Sequence, residues 1–562
     1  MSNKVHPRLQ SPGAGVTRRL EKAEWVVCIA ATLAAIWLHA TYLTHAGALW
    51  RDEAGVVQLG TLPRLSEMWK MVNGYDSFPV LFPSTIRLWS AIGLGRNDLG
   101  LRCLGSLVGV AVLGGLWLNA RILGFSRPLL SLALLGVNLT LVRWGDSLRP
   151  YGLGCLLVLL TLGSIWSLAK APTRGRFAVA AAAAVLAVQC FYQGAFLVLA
   201  ICSATAAVCF RCRQGKAALG TLSAGVPAAV SLLPYVGKIL GGQDWGVVER
   251  TGFNGALACS NLWNALGDPM SWQGLAWLAL SYAALARGLS HLQRKGGRKP
   301  IGPEELPLFG SLVIVFSVVS FFLALLIAKL PTQPWYWLPL LPPVAVCVDG
   351  ALAGSLGSYR IWRPALAVTL ICVPLPAGVK LARYRQTNID LAAAQVWQAA
   401  KSNDLVVVYP WYFGISFNRY YKGPAPWTTL PALSDLRFHR YDLVKESLAS
   451  QAPIKAVLDR MGQTLSSGNS VWIVGKLPEA QFGETQPPDL PPAPGSQWGW
   501  YDVPYIYVWG RQAEHFLALH ALRRSLVATD SGAEVSRYEN APVTVAWGWS
   551  PAPGSGEPAG HQ

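Results

Sequence analysis

The sequence predicts a polytopic α-helical membrane protein that ends in a small extracytoplasmic α/β domain. Three observations predict this architecture. The 562 residues are 52% hydrophobic and only 14% charged, whereas charged residues make up about 25% of an ordinary soluble domain. Apolar runs of about 20 residues, long enough to cross a bilayer, recur as far as residue 382. Short strand patterns bounded by turn residues replace them after that point.

Eleven apolar runs predict membrane-spanning helices. They lie at 25–44, 100–120, 128–142, 151–169, 177–192, 194–210, 217–236, 272–288, 307–329, 335–352 and 364–381. Lys and Arg cluster in alternate connections, at 121–127, 170–176, 211–216, 294–299 and 360–363, and such clusters mark cytoplasmic loops. With the basic tail 1–22 also inside, the C-terminal part lies on the extracytoplasmic side.

One further apolar stretch, 78–94, does not fit as a span. It contains Pro79, Pro83 and Arg87, and counting it would place every later basic cluster on the wrong side. We expect it to lie along the membrane surface as an interfacial helix. Residues 45–99 then form one large first outer loop within a transmembrane domain at 23–382.

Residues 383–549 have the pattern of a small α/β domain. Segments 404–409 and 470–474 are typical of buried strands, and 434–462 has helical periodicity between them. The Gly- and Pro-rich end, 550–562, predicts a disordered tail.

Composition also excludes some functions. The net charge of +18 would suit nucleic acid, but the basic residues lie in short clusters between apolar runs, without a nucleic-acid-binding motif. We therefore expect no nucleic-acid partner. All ten cysteines precede residue 383 without zinc-ligand spacing, which predicts small apolar side chains packed in helices. No glycine-rich phosphate-binding fingerprint supports a nucleotide-linked substrate.

An acidic pair, Asp52 and Glu53, directly follows the first span and is predicted on the outer face. Carboxylates at a membrane surface are costly to desolvate and are often functional. Asp52 is the candidate catalytic base. Glu53 either helps to position Asp52 in catalysis or caps a short helix.

A second polar cluster, Asp146, Arg149 and Tyr151, lies at the outer end of the third span. Arginine is depleted on that side of a membrane. The cluster is either a helix-end ion pair with a snorkelling arginine or an anion site, because a guanidinium can hold a phosphate with two hydrogen bonds.

Further candidates lie at the outer ends of other spans. Tyr192 and Gln193 form a turn that either contacts a substrate or only reverses the chain. Lys329 either assists phosphate binding or snorkels to the surface. Trp335 and Tyr336 either shape a substrate pocket or belong to an interfacial aromatic belt.

Two aromatic segments, 410–414 and 438–442, belong to the C-terminal domain. The first follows a predicted strand, and ligands often bind where parallel strands end. Each segment therefore either recognises an acceptor or packs against the sheet.

Three motifs occur in order on the same predicted face: Trp50-Arg51-Asp52-Glu53-Ala54, Ser147-Leu148-Arg149-Pro150-Tyr151 and Gln333-Pro334-Trp335-Tyr336-Trp337-Leu338-Pro339. Through these three motifs, residues 20–355 resemble the polytopic GT-C glycosyltransferases, especially the family 39 group of protein O-mannosyltransferases and bacterial aminoarabinose transferases. The resemblance implies transfer of a sugar from a polyprenyl-phosphate donor to a lipid, protein or glycan acceptor. Two departures, at 76–80 and 335–337, leave the sugar and the acceptor open.

The resemblance implies roles for these residues. Asp52 is the base, helped by Glu53, while Arg149 and Lys329 stabilise the phosphate as its charge develops. Asp146 pairs with an acceptor group or, together with Asp52, holds a divalent cation such as Mg or Mn; cation use stays open. Two rival functions also stay open: a transporter or flippase of lipid-linked sugars, and a polysaccharide polymerase or ligase.

Overall fold

The computed structural model describes residues 14–125, 127–240, 253–267, 271–294, 296–328, 332–353, 362–479, 486, 488–492, 501–527, 529 and 531–551. Three predicted features fall wholly or largely outside these ranges. They are Lys329, most of the basic tail (1–13) and almost all of the predicted disordered tail (552–562).

Eighteen α-helices are described up to residue 382. They are α1 Ala14–His45, α2 Arg51–Gly60, α3 Leu65–Tyr75, α4 Leu81–Ala91, α5 Asp98–Leu123, α6 Leu129–Leu135, α7 Pro150–Lys170, α8 Arg174–Cys190, α9 Gly194–Arg211, α10 Gly215–Ser223, α11 Val226–Ser231, α12 Val236–Leu240, α13 Gly255–Gly267, α14 Ser271–Leu292, α15 Leu306–Ala328, α16 Leu341–Ala353, α17 Trp362–Cys372 and α18 Leu375–Ala382. A π-helical turn, Leu141–Gly145, follows α6, and a 3-10 helix, Pro334–Leu340, precedes α16.

Eight helical segments of the described part are long and apolar enough to cross a membrane. They are Arg19–His45, Asp98–Leu123, Pro150–Lys170, Gly194–Arg211, Gly215–Ile239, Pro303–Ile327, Pro334–Ala353 and Trp362–Ala382. Each coincides with a predicted span, so the polytopic helical architecture is confirmed.

The other three predicted spans are helical as well, but they are not among those eight segments. The run at 128–142 is interrupted: α6 ends at Leu135, and the π-helical turn follows after a short gap. The run at 177–192 is the 17-residue helix α8, and the run at 272–288 lies within α14.

The C-terminal part contains α19 Ile389–Ala399, β1 Leu405–Val408, α20 Phe413–Tyr420, β2 Trp427–Thr429, α21 Tyr441–Leu448, α22 Lys455–Ser466, β3 Val471–Val474, α23 Val503–His520, β4 Ala521–Val527 and β5 Val543–Trp549. The described strands form one sheet in the order β2-β1-β3-β5-β4. β1 is parallel to β2 and β3, whereas β5 is antiparallel to β3 and β4. The α/β class and both predicted strands are confirmed, whereas the β4–β5 pair was not predicted.

The C-terminal part packs against the end of the bundle at which α1 finishes and α5 begins. The hydroxyl of Tyr420 accepts a hydrogen bond of 2.7 Å from the backbone N–H of Leu49. Arg419 pairs with Asp98 at 2.6 Å. We call this end of the bundle the domain end.

Helix α4, within the stretch predicted to be interfacial, lies at the domain end. Its buried residues Phe82 and Ile86 belong to the same apolar cluster as Trp411 and Ile415 of the C-terminal part. One face of this helix is therefore covered by protein, and its position relative to a membrane stays a prediction.

At the other end of α1, a buried ion network joins helices that are distant in sequence. Glu24 pairs with Arg127 at 3.0 Å and with Arg363 at 3.5 Å, and Arg363 also pairs with Asp349 at 2.5 Å. Each buried charge has a partner of opposite sign, which burial requires. These pairs fix the mutual positions of α1, α16 and α17.

Candidate functional site

A cavity of about 350 Å³ lies at the domain end, between the helical bundle and the C-terminal part. Six of the predicted site residues line it: Asp52, Arg149, Tyr151, Gln193, Trp335 and Tyr336. They come from α2, the start of α7, the α8–α9 turn and the 3-10 helix before α16. Residues far apart in the sequence therefore meet around one space.

Asp52, in the first turn of α2, lies beside two guanidinium groups and an imidazole. Its Oδ1 lies 3.4 Å from Nε of Arg51 and 3.4 Å from Nε2 of His439. Its Oδ2 lies 4.0 Å from Nε of Arg149. The side chain is 18% exposed, so the cavity can reach it.

These neighbours decide the ionisation of Asp52. Burial alone would raise its pKa, but the hydrogen bond with His439 and the charges of Arg149 and Arg51 outweigh burial. The pKa of Asp52 therefore lies well below its ordinary value, and the carboxylate is ionised at neutral pH.

Arg149 precedes Pro150, the first residue of α7. Its guanidinium lies 4.8 Å from the ring centroid of Phe78, a cation–π distance. Nη1 donates a long hydrogen bond of 3.4 Å to the backbone carbonyl of Asp52. Nε is buried and has no hydrogen-bond partner among the described residues. A buried guanidinium donor in a cavity wall suits an anionic ligand.

Glu53 lies behind the cavity wall and does not line it. It is fully buried, pairs with Arg102 at 3.0 Å, and accepts hydrogen bonds from the backbone N–H groups of Leu148 at 3.0 Å and Trp50 at 3.3 Å. The contact with Trp50 forms the helix cap that the sequence left open. Because Leu148 precedes Arg149, these contacts tie α2 to the segment that carries Arg149; the catalytic role of Glu53 stays a prediction.

Asp146 is also absent from the cavity lining. It is 1% exposed, and its two oxygens lie 2.9 and 2.8 Å from Nδ1 of His39 on α1. Both oxygens therefore face a helix instead of a substrate. This contact ties the 146–149 loop to α1, and the catalytic role of Asp146 stays a prediction.

The predicted cation site between Asp52 and Asp146 does not fit this arrangement, because Asp146 presents neither oxygen to the cavity. Within the described ranges, no group of three or more His, Cys, Asp or Glu side chains could hold a metal ion. Among the carboxylates of the bundle, Asp76 lines the cavity with Asp52, and its buried Oδ2 lacks a hydrogen-bond partner in the described structure.

The predicted aromatic residues fall into two groups. Trp335 and Tyr336 line the cavity, as does Tyr151, whose ring lies 5.9 Å from that of Tyr336. Tyr192 does not line the cavity and packs against Tyr235 at 5.6 Å. The adjacent Gln193 does line it.

Sequence reasoning did not place the C-terminal part in this cavity. Tyr412, Phe438, His439 and Tyr441 all line it, and the guanidinium of Arg51 lies 4.3 Å from the ring centroid of Tyr412. All four lie in the two aromatic segments for which acceptor recognition was left open. No pattern in the sequence brought those segments to Asp52.

No family model and no curated protein matches the chain. Among solved structures, the chain is similar to ArnT from Cupriavidus metallidurans bound to undecaprenyl phosphate, with 13% identity, coverage of 82% of this chain and 93% of that chain, and a TM-score of 0.45. It is similar to the Archaeoglobus fulgidus oligosaccharyltransferase tethered with an acceptor peptide (10% identity, 81% and 69% coverage, TM-score 0.48). It is also similar to the arabinofuranosyltransferase AftD from Mycobacteria (14% identity, 93% and 40% coverage, TM-score 0.42).

Proposed function

We propose that this chain is an integral membrane glycosyltransferase of the GT-C type, which moves a sugar from a polyprenyl-phosphate donor to an acceptor. The observation that carries the proposal is that Asp52 and Arg149 line one cavity at the end of a bundle of membrane-spanning helices. A transfer from a lipid phosphate needs a carboxylate on the acceptor side and positive charge on the leaving-group side.

The position of the cavity suits a lipid-linked donor. The prenyl chain can stay among the apolar helices while the phosphate reaches Arg149 and Arg51. ArnT, in the structure described above, is bound to undecaprenyl phosphate, a lipid phosphate of the kind that carries the sugar in the donor proposed here. The acceptor, whether lipid, protein or glycan, approaches from the C-terminal part, whose aromatic side chains Tyr412 and Tyr441 also line the cavity.

The distribution of Lys and Arg supports an orientation for the reaction. Basic clusters occur in alternate connections, and the positive-inside rule puts those connections and the N-terminus in the cytoplasm. The cavity and the domain at 383–549 are then extracytoplasmic.

The rival transporter function predicts charged groups along a path through the membrane. At the end of α1 away from the cavity, the described carboxylates Glu24 and Asp349 are engaged by Arg127 and Arg363. The charged groups of the cavity are instead concentrated at the domain end. This arrangement favours surface chemistry over transport.

Replacing Asp52 by Asn tests the proposal. The full chain is expressed in membranes supplied with a radiolabelled polyprenyl-phosphate sugar, and the label in non-donor material is counted. We expect a loss of about 10²–10⁴-fold, the usual contribution of acid–base catalysis.

Asp459→Asn on α22, where the side chain is 61% exposed, is the matched control and should transfer like the wild type. Undiminished transfer by Asp52→Asn at normal expression would remove Asp52 from catalysis. Movement of the donor across the membrane without a covalent product would refute the glycosyltransferase proposal.

A further inference from the structure

His439 is the residue of the C-terminal part that makes contact with Asp52. It lies between β2 and α21, lines the cavity, and places Nε2 3.4 Å from Oδ1 of Asp52. Its side chain is 20% exposed, so a ligand in the cavity can reach the imidazole.

Aromatic contacts hold the imidazole in place. Its ring stacks on Tyr441, with centroids 5.9 Å apart and planes at 24°, and it meets Trp411 edge-on at 6.2 Å. Trp411 is fully buried, and its Nε1 donates to Asp502 at 2.9 Å. The position of the imidazole is therefore fixed before a substrate arrives, as an acid–base group requires.

The loop that carries His439 is also tied to the bundle. Arg440 forms two hydrogen bonds with Asp442, at 2.8 and 2.6 Å. Its guanidinium lies 4.3 Å from the ring centroid of Tyr75 on α3. This contact ties the loop to Tyr75, which also lines the cavity.

Asp52 itself is poorly suited to take up a proton. Arg51, Arg149 and His439 surround its carboxylate and hold its pKa well below the ordinary value even though burial acts in the other direction. A carboxylate stabilised in its ionised form is a weak base. Another group must then receive the proton of the acceptor, and imidazole is the most common protein group in that role.

We propose that His439 is the general base of the transfer reaction and that Asp52 orients it. Nε2–H of His439 donates to the Asp52 carboxylate, which leaves Nδ1 to accept the proton. Gly55, another residue of the cavity lining, presents no side chain beside this nitrogen, and a Cβ there would come into contact with Nδ1 at 3.8 Å. This inference rests on the proposed function and refines the role of Asp52 within it.

The acceptor heteroatom forms a bond to C1 of the sugar while its proton moves to Nδ1 of His439. The bond between C1 and the phosphate oxygen breaks, and its electron pair leaves with the polyprenyl phosphate. Arg149 faces the added negative charge, and the imidazolium formed is paired with Asp52.

A general base makes activity depend on pH, because the imidazole must be neutral to accept a proton. Transfer should therefore rise with pH, because only the neutral imidazole accepts the proton, while Asp52 stays ionised. The titratable and charged groups around His439 come from the elements packed near it and from its own segment. Those of the other elements are Asp52 and Arg51 on α2, Tyr75 on α3, Arg149 before α7, Tyr412 before α20, Tyr441 on α21 and Asp502 before α23. Those of its own segment are Asp435, Arg437, Arg440 and Asp442.

The test compares His439→Gln and His439→Lys in the full chain. Membrane vesicles that contain each variant supply the acceptor, and label transfer from a radiolabelled polyprenyl-phosphate sugar is followed from about pH 5 to about pH 9. Binding of undecaprenyl phosphate to purified protein reports whether the cavity is intact. We expect His439→Gln to lose about 10²-fold in rate and the rising limb of the pH profile, with binding of undecaprenyl phosphate unchanged.

His439→Lys places a permanent positive charge beside Asp52 but provides no base at neutral pH, so we expect it to be as slow as His439→Gln. His515→Gln, on α23 and outside the cavity lining, is the matched control and should keep the wild-type profile. Restored transfer in His439→Lys would overturn the general-base role in favour of a purely electrostatic one. Wild-type transfer with an unchanged profile in His439→Gln would overturn the inference alone, whereas absence of transfer by the wild type would refute the proposed function.

Discussion

Arg149 has contacts in the cavity wall that a lysine could not reproduce. Its planar group lies against Phe78, Nη1 reaches the carbonyl of Asp52, and Nε is left for a ligand. A lysine ammonium is a point charge that neither stacks in the same way nor offers two parallel donors to a phosphate.

We therefore expect Arg149→Lys to lower kcat/KM for the polyprenyl-phosphate sugar by about 10²–10³-fold, the usual effect of removing one preorganised donor. The measurement is the rate of label transfer at several donor concentrations. Arg96→Lys, an exposed arginine of the first loop, should leave the rate unchanged. Equal rates for Arg149→Lys and the wild type would mean that positive charge alone is enough.

For single residues, the sequence predicted some members of the site but not the role of each. Asp52 and Arg149 could be predicted because charge is unusual at the outer end of a span. The same reasoning gave equal weight to Asp146, which instead pairs with His39. Which of these two acidic side chains faces the cavity depends on side-chain packing, and the hydropathy of the sequence contains no information about that packing.

Among the structural elements, the 146–149 loop links the π-helical turn to α7 and is packed tightly on α5. A Cβ added to Gly105 would lie 1.9 Å from the backbone oxygen of Asp146, and a Cβ added to Gly109 would lie 1.9 Å from its Oδ1. Both glycines therefore permit a close approach of the loop to the helix. The loop then carries Arg149 to the cavity.

We expect Gly105→Ala to displace this loop, because a Cβ cannot occupy the place of a backbone oxygen. Overpacking of this kind costs about 1–3 kcal/mol, and a shift of about 1 Å in a binding group can cost about 10²-fold in rate. In Gly114→Ala on the same helix, the new Cβ would meet no atom within 4 Å beyond its chain neighbours and the helix's own backbone, so this variant should match the wild type in melting temperature and transfer rate. Full activity of Gly105→Ala would show that the packing of this loop does not control Arg149.

Elements that form for local reasons could be predicted from the sequence, whereas an element without a local pattern could not. Apolar length and charge alternation predicted eight spans that the structure confirms, because crossing a bilayer is a local requirement. The β4–β5 pair was not predicted, since β4 carries Arg523 and Arg524 between partly or fully exposed positions and has no buried face to produce a pattern.

Across the whole molecule, the cavity exists only where the C-terminal part packs against the bundle, and Glu539 lies in that interface. One of its oxygens accepts a hydrogen bond of 2.8 Å from the backbone N–H of Arg51, and the other accepts one of 2.7 Å from Ser416. Burial raises the pKa of Glu539 to about 7, although the charge of Arg51 and the hydrogen bonds act to lower it. Sequence reasoning could not detect this contact, because it depends on tertiary packing between residues distant along the chain.

A carboxyl group whose pKa is higher in the folded state stabilises the fold at low pH and loses that contribution as pH rises. For Glu539 the loss extends from its ordinary pKa of 4.5 to about 7 and amounts to about 3 kcal/mol. We expect the melting temperature of the full chain in detergent to fall across this range, and Glu539→Gln, which mimics the protonated form, to reduce the fall. Glu446→Gln, an exposed residue of α21, should retain the wild-type pH dependence. If Glu539→Gln melts with the same pH dependence as the wild type, the ionisation of Glu539 does not control how the two parts of the chain hold together.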